Sequence, residues 1–402
     1  MKVLVADKFE KSGLEGLKGL GVEVFYEPDL KDDALQTRIH ELGCEVLVVR
    51  STKVTAPMIE GSRLSVIIRA GAGYNTIDVD AASRFGVYVT NCPGKNSQAV
   101  AELAFGLILA LDRFIPDNVS QLREGKWNKK GFSVAKGLHG RTLGLVGMGK
   151  IGQEMVQRAK AFGMHVVAFS RWMTADTAAA MGIGRASSLT ELAQLSDVVS
   201  VHVSLNADTK GMLGAEFFNA MKPGAYFINT SRAEVVDQAA MEQAVDAKGI
   251  RCGLDVFEGE PTVGEGEYEG SMKNKPGVYC THHIGASTEQ AQEAVASEVV
   301  RIVKEYLLNG TVPNVVNVAK AGEAASHLCV VRHADKVGVL AHVLSVLKDE
   351  GVNVQEMENI VLGGARAAIA QISIDKDLSN EATLQIKSSP NVFDVTVMAI
   401  TK

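Results

Sequence analysis

The sequence has no apolar run long enough to cross a bilayer: its most apolar helical stretch, Ala99 to Leu111, is too short and is interrupted by Glu102. A membrane-spanning protein is therefore not expected. It also lacks a basic excess, because a net charge of -6 leaves no cationic stripe for a phosphate backbone, so nucleic acid is not expected as a partner. The cysteines are few: Cys44, Cys92, Cys252, Cys280 and Cys329 are scattered, odd in number and form no C-x-x-C. That spacing suggests neither a disulfide framework nor a zinc site, so no metal is expected and a reducing cytoplasm fits best. The N-terminus, Met1-Lys2-Val3-Leu4-Val5-Ala6-Asp7, opens on a short strand without the apolar core of a signal peptide. There is no low-complexity tract and no internal repeat.

What is present is an ordinary soluble composition, 402 residues with 46% hydrophobic and 22% charged, enough for two to three domains. Its most informative string is Gly144-Leu145-Val146-Gly147-Met148-Gly149-Lys150-Ile151-Gly152. Gly147, Gly149 and Gly152 form a G-x-G-x-x-G run between an apolar strand, Thr142 to Val146, and a helix pattern, Lys150 to Phe162. In that context the first glycine makes a tight turn, the second lets a pyrophosphate approach and the third lets helix and strand pack. The amides around Gly149, Lys150 and Ile151 are then free to bind phosphate, and a nicotinamide dinucleotide is the expected cofactor.

Apolar runs at Val3–Val5, Val22–Phe25, Val46–Val49, Val66–Ile68 and Val87–Val89 alternate with amphipathic stretches, as in a parallel sheet. A second series begins at Thr142 and continues through Met164–Phe169, Asp197–Val203, Ala225–Asn229, Gly253–Val256 and Val278–Cys280. Two series imply two Rossmann-like, doubly wound α/β lobes. A long helix pattern follows from Ala286 to about Leu308. Residues 317–326 read as a linker, and residues 327–402 follow the βαββαβ order of a ferredoxin-like unit.

Arg232, Glu260 and His283 each fall just beyond a strand of the second series, at the edge where open α/β sheets bind ligands. The trio suits oxidation of a secondary alcohol. A histidine can take the hydroxyl proton as hydride leaves carbon, a glutamate can orient the imidazole, and a guanidinium can hold a carboxylate in a fork. His282 competes with His283 for the proton-transfer role. In the first series, Arg50, Lys53 and Arg69 follow strands and face the same edge, and the amides of Gly71-Ala72-Gly73 could take a carboxylate, so a phosphorylated hydroxy acid would suit them. Lys129 and Lys130 are weaker candidates. Where NAD-binding members of this fold carry an acidic residue about 20 positions past the glycines, this chain has Ser170-Arg171, which favours a 2'-phosphate and hence NADP.

Four segments together resemble the D-2-hydroxyacid dehydrogenase family, and within it the branch acting on 3-phosphoglycerate. They are Arg69-Ala70-Gly71-Ala72-Gly73, the glycine loop, Asn229-Thr230-Ser231-Arg232 with Val235-Val236-Asp237, and His283-Ile284-Gly285-Ala286-Ser287-Thr288. The resemblance implies that Arg232 binds the substrate carboxylate, Glu260 pairs with the histidine, and His283 rather than His282 is the acid/base. It implies cofactor contacts at Gly147, Gly149, Lys150, Ile151, Gly152, Ser170, Arg171 and Asp255, with NAD or NADP as cofactor, and substrate contacts at Arg50, Lys53, Arg69, Ala72 and Gly73. It also implies a substrate lobe built from residues 1–96 and 286–316 around a dinucleotide-binding lobe, 97–285, and a reaction that opens serine synthesis. Rival readings are a glyoxylate or hydroxypyruvate reductase and a nicotinamide-sensing regulatory protein without turnover.

The C-terminal unit resembles an ACT domain through His333-Ala334-Asp335-Lys336-Val337-Gly338-Val339-Leu340 and Gly351-Val352-Asn353-Val354. Such domains bind amino acids between subunits, which implies an effector such as serine at His333, Asp335 and Asn353. Asp335 stands where relatives have asparagine, and Val337 replaces the usual proline. The apolar residues of Gln98 to Leu111 exceed one core-facing stripe, so this helix is expected to pack against another subunit in a homodimer or homotetramer.

Overall fold

Short runs of β-branched and leucine residues without interrupting charge build the first sheet in a computed structural model that describes residues 1–261, 265–319 and 325–400. Strands β1 (Lys2–Val5), β2 (Glu23–Tyr26), β3 (Val46–Val49), β4 (Val66–Arg69) and β5 (Tyr88–Asn91) lie in the order β2-β1-β3-β4-β5, all parallel. β3 is buried along its whole length, as a strand covered on both faces must be. One face packs on helix Asp32–Leu42 through Leu35 and Ile39. The other is covered by helix Glu289–Asn309 from far along the chain, whose Val299, Ile302 and Val303 join Val3, Val5 and Ile68. Those three side chains are essentially fully buried, which at ~1.5–3 kcal/mol each makes the returning helix integral to this lobe.

The second lobe holds β6 (Thr142–Val146), β7 (His165–Phe169), β8 (Gly184–Arg185), β9 (Val198–Val201), β10 (Tyr226–Asn229), β11 (Arg251–Leu254) and β12 (Val278–Cys280). Their order is β12-β11-β10-β9-β6-β7-β8, again parallel, so strand order reverses between β6 and β9 and leaves a crevice there. The two-residue β8 is too short to announce itself as an apolar run.

Helix Ser97–Arg113 corrects the expectation of a subunit-facing surface. Ala99, Val100, Ala101, Ala104, Phe105, Leu107, Ile108 and Leu111 are all buried within the single chain, against β10, β11 and helix Lys150–Ala161. Uncovered apolar surface lies instead on the next helix, Ile115–Arg123, which buries none of its residues and exposes Ile115, Val119 and Leu122 beside Trp127 at 81% and Val134 at 60%. Among the described residues no helix is long and apolar enough to cross a membrane.

Residues 318–402 form a separate unit. Its strands β13 (His327–Ala334), β14 (Val354–Val361), β15 (Ala367–Ile374) and β16 (Val392–Ala399) lie antiparallel in the order β14-β15-β13-β16, with helices Val339–Asp349 and Asn380–Lys387 packed on one face. Of the expected linker, residues 320–324 lie outside the described residues, and its two ends are structured. Asn317 bonds to the first lobe through Val89 N (2.9 Å) and Val87 O (2.9 Å), and Ser326 N donates to Ile374 O at 2.9 Å.

Candidate active site

The crevice between β6 and β9 is shaped by the glycine loop. Gly147 has φ +97°, and a Cβ there would collide with the carbonyl oxygen of His202 at the end of β9, so only glycine fits. Gly152 packs against the Gly147 carbonyl, and Gly149 has open space around it. Gly149 and Lys150 are exposed at the N-terminus of helix Lys150–Ala161, where amides and helix dipole favour an anion, so the cradle fits a dinucleotide pyrophosphate. At the end of β7, Arg171 is tied by Nη1 to Asp208 Oδ2 at 2.6 Å, with both side chains about 70% exposed. That partner was not visible in the sequence, where only the missing carboxylate at Ser170-Arg171 stood out.

Three turns beyond β10, β11 and β12 carry the trio. Asn229 folds the first turn, donating from Nδ2 to Arg232 O (3.0 Å) and accepting at Oδ1 from Ser231 N (3.0 Å) and Ser231 Oγ (2.7 Å). Asp255, buried at 1% exposure, folds the loop after β12 by accepting from Thr281 Oγ1 (2.6 Å), Ile284 N (2.9 Å) and Gly285 N (2.8 Å). Its carboxylate, expected as a cofactor contact, is thus engaged within the protein. His283 adopts φ +52° in that loop and its Nδ1 lies 2.9 Å from Glu260 Oε2, while Glu260 Oε1 accepts from Phe257 N at 2.8 Å. Nδ1 is therefore the protonated nitrogen and Nε2 is left to exchange a proton, on a side chain 53% exposed. His282 makes no hydrogen bond among the described residues.

On the facing lobe, Arg69 and the Gly71–Gly73 loop meet Arg232. A side chain at Gly71 would overlap the Arg69 guanidinium, and one at Gly73 would overlap that of Arg232, so Arg232 reaches across the cleft to touch the first lobe. Burial, aided by the positive charges of Arg232 and Arg50, pushes the Arg69 guanidinium down to about 10, and its buried Nε has no partner. Burial likewise lowers Arg232. Three guanidiniums crowded into partial burial make a pocket that wants an anion. Gly71 N–H is already spent on Arg69 O (2.8 Å), which corrects its expected share in anion binding, whereas Ala72 and Gly73 amides have no backbone partner among the described residues.

Asp7 was not anticipated. At the end of β1 and 9% exposed, it accepts from Arg50 N (2.6 Å), Ser51 N (3.1 Å), Thr52 N (3.0 Å) and Thr52 Oγ1 (3.0 Å), so one carboxylate winds the loop that presents Arg50. Arg50 Nη1 donates to Gln292 Oε1 at 3.3 Å, and Lys53 is exposed without an ion pair among the described residues.

In the C-terminal unit the expected effector residues are not brought together within one chain. His333 is buried and bonded through Nε2 to Asn359 Oδ1 at 3.0 Å. It pairs with Ala368, opposite Val361, whereas Asn353 precedes Val354 at the other end of the sheet, opposite Ile374 and His327. Asp335 follows β13 beside His333, its N–H donating to Arg366 O at 3.2 Å.

Two facing parallel lobes, a dinucleotide cradle and an arginine–histidine–glutamate trio define a class of nicotinamide-dependent dehydrogenase, and comparison with known proteins gives the family. Residues 105–285 match the family described as D-isomer specific 2-hydroxyacid dehydrogenase, NAD binding domain. The chain belongs to the D-isomer specific 2-hydroxyacid dehydrogenase family, and its second lobe is the NAD-binding domain. It is 40% identical over 308 residues to a hydroxypyruvate reductase of Thermotoga maritima, covering 76% of this chain and 98% of that one. It is 38% identical over 320 residues to a D-3-phosphoglycerate dehydrogenase of Methanocaldococcus jannaschii, covering 79% of this chain and 59% of that one. Among solved structures, NAD+-bound 3-phosphoglycerate dehydrogenase of Entamoeba histolytica superposes with a TM-score of 0.66 at 25% identity, covering 79% and 99% of the two chains. The chain thus spans about six-tenths of the length of the Methanocaldococcus enzyme and of a like-named Bacillus subtilis relative, but nearly the whole of the Entamoeba chain.

Proposed function

We propose that this chain is a D-3-phosphoglycerate dehydrogenase, oxidising the hydroxyl-bearing carbon to give 3-phosphohydroxypyruvate. The observation that carries the reading is the crowding of Arg50 and Arg232 around Arg69, with Arg69 and Arg232 against the Gly71–Gly73 loop, more cationic charge than one carboxylate needs. In this reading Arg232 and the Ala72 and Gly73 amides hold the carboxylate, and Arg50, with Lys53 at the rim, holds the phosphate. The nicotinamide ring, when bound, accepts the hydride. His283 Nε2 takes the hydroxyl proton, and Glu260 acts as its positioning residue, stabilising the imidazolium through the 2.9 Å contact. The test is nicotinamide absorbance with purified protein, NAD and D-3-phosphoglycerate. A second reading, hydroxypyruvate reductase, is favoured by the Thermotoga relative, which this chain covers almost completely.

NAD is the cofactor in this proposal, and Arg171 admits NADP. Its exposed pair with Asp208 is worth only ~0–1 kcal/mol and yields readily to a phosphate. Arg171→Ala is expected to weaken NADP binding by about 10- to 100-fold, the loss of one charge-assisted hydrogen bond, while NAD binding stays unchanged. Titration of both cofactors checks it; equal losses would remove Arg171 from cofactor choice.

For assembly, a homodimer through the exposed apolar segment around Ile115, Leu122 and Trp127 replaces the buried helix as the expected contact. Residues 327–402 then act as an ACT regulatory unit in which an amino acid such as serine is held between copies, with His333 and Asp335 from one and Asn353 from another. Truncation after Asn317 is expected to leave an active dimer that no longer responds to amino acids. Sedimentation of the truncated protein as a monomer would refute the first part, and a retained response the second.

A further inference from the structure

Among the described residues of the first unit, the chain passes between the lobes twice: at 92–96, from β5 to helix Ser97–Arg113, and at 281–288, from β12 to helix Glu289–Asn309. Glu298 lies on the helix that leaves the second crossing and faces the first. It is 5% exposed, forms an ion pair with Lys95 Nζ (3.2 Å), and accepts from Arg301 Nη2 (2.6 Å) and Nε (3.1 Å) and from Asn314 Nδ2 (2.8 Å). Lys95 lies within the first crossing. Glu298 and Arg301 lie on the helix that leaves the second, and Asn314, which also donates to Asn91 O at 3.3 Å, belongs to the segment returning to β5. One buried carboxylate therefore ties the first crossing to the helix that leaves the second.

Each side of this cluster reaches a functional element. Gly94, beside Lys95, adopts φ +79° and a Cβ there would stand 3.4 Å from Cγ of Lys150, the residue opening the dinucleotide helix. Helix Glu289–Asn309 carries Gln292, which accepts from Arg50 in the anion pocket. Lys95 lies in no helix or strand, and Asn314 already anchors the return segment without it, so its bond to Glu298 adds little to either core. Arg301, then Asn314 and Lys95, hold the Glu298 carboxyl down to about 2, so the cluster is charged at neutral pH.

We propose that Glu298 is a positioning residue, and that its pair with Lys95 is a latch fixing the lobe-to-lobe angle at which Arg232 meets Gly73 and His283 faces the cleft. The proposal rests on the reading of that cleft as the substrate site. Hinges between lobes concentrate motion in such connecting residues, and with Arg301 holding the Glu298 carboxylate charged and in place, its ion pair with Lys95 restrains the connection that must bend.

The test compares full-length Lys95→Met, Glu298→Gln and the double variant with wild type. Each single variant is expected to raise KM for D-3-phosphoglycerate roughly three- to tenfold, with the double no worse and NADH affinity unchanged, as for two residues acting as one unit. In the protein without substrate, hydrogen exchange should quicken at both 92–96 and 281–288 when Lys95 alone is replaced. A partner that simply stabilised one lobe would not transmit loss of protection from the first crossing to the second. Unchanged exchange at 281–288 in Lys95→Met, unchanged KM in both single variants, or fully additive effects in the double would each overturn the latch. If wild type fails to oxidise D-3-phosphoglycerate, the substrate reading falls while the exchange result still judges the latch.

Discussion

Replacing His283 by alanine is expected to lower kcat by roughly 100- to 10,000-fold, the usual contribution of a positioned general acid-base group, while NADH binds as before. The separation follows from the structure: the imidazole sits in the loop after β12, held by Glu260 and by the amides that Asp255 gathers, whereas the dinucleotide cradle is built by Gly147, Gly149 and Gly152 after β6. Glu260→Gln keeps a bond to the ring but removes the charge that stabilises the imidazolium, so its loss of kcat is expected to be smaller, with KM little changed. Steady-state rates and NADH fluorescence titration check both. A His283→Ala enzyme within a few-fold of wild type would remove the histidine from the reaction.

The second large effect is expected at Gly73. Its missing side chain is the space into which the Arg232 guanidinium fits, so Gly73→Ala must push that guanidinium away from the loop whose amides share its ligand. Misplacement by about 1 Å of a group that orients substrate costs on the order of 100-fold, and that loss is expected in kcat/KM without a change in NADH affinity. Gly106→Ala is the control, because it lies in helix Ser97–Arg113 with nothing within 4 Å of a Cβ and should leave the rate unchanged. If Gly73→Ala matched it, the contact between Arg232 and the first lobe would have no part in turnover.

The glycine loop was legible in the sequence because its spacing and flanking periodicities are local, and the turns after β10, β11 and β12 were legible because parallel strands deliver their C-terminal ends to one edge. Asp7 escaped notice for the opposite reason: its partners are the amides of residues 50–52, brought to it only when β1 and β3 pair. Helix Ser97–Arg113 shows a different limit, since its apolar positions reveal how much surface must be covered but not that β10, β11 and helix Lys150–Ala161 cover it within the same chain. In the C-terminal unit the βαββαβ order could be read from periodicity. The distance between His333 and Asn353 could not, because it depends on the antiparallel register that puts Val354 opposite Ile374.

The most direct test of the substrate assignment is the ratio of kcat/KM for D-3-phosphoglycerate to that for D-glycerate, measured with NAD by nicotinamide absorbance. With Arg50 and Lys53 contributing one or two charge-assisted contacts to the phosphate, the phosphorylated substrate is expected to be favoured by about 100-fold or more. Equal or faster turnover of D-glycerate would contradict the account and assign the chain to hydroxypyruvate reduction.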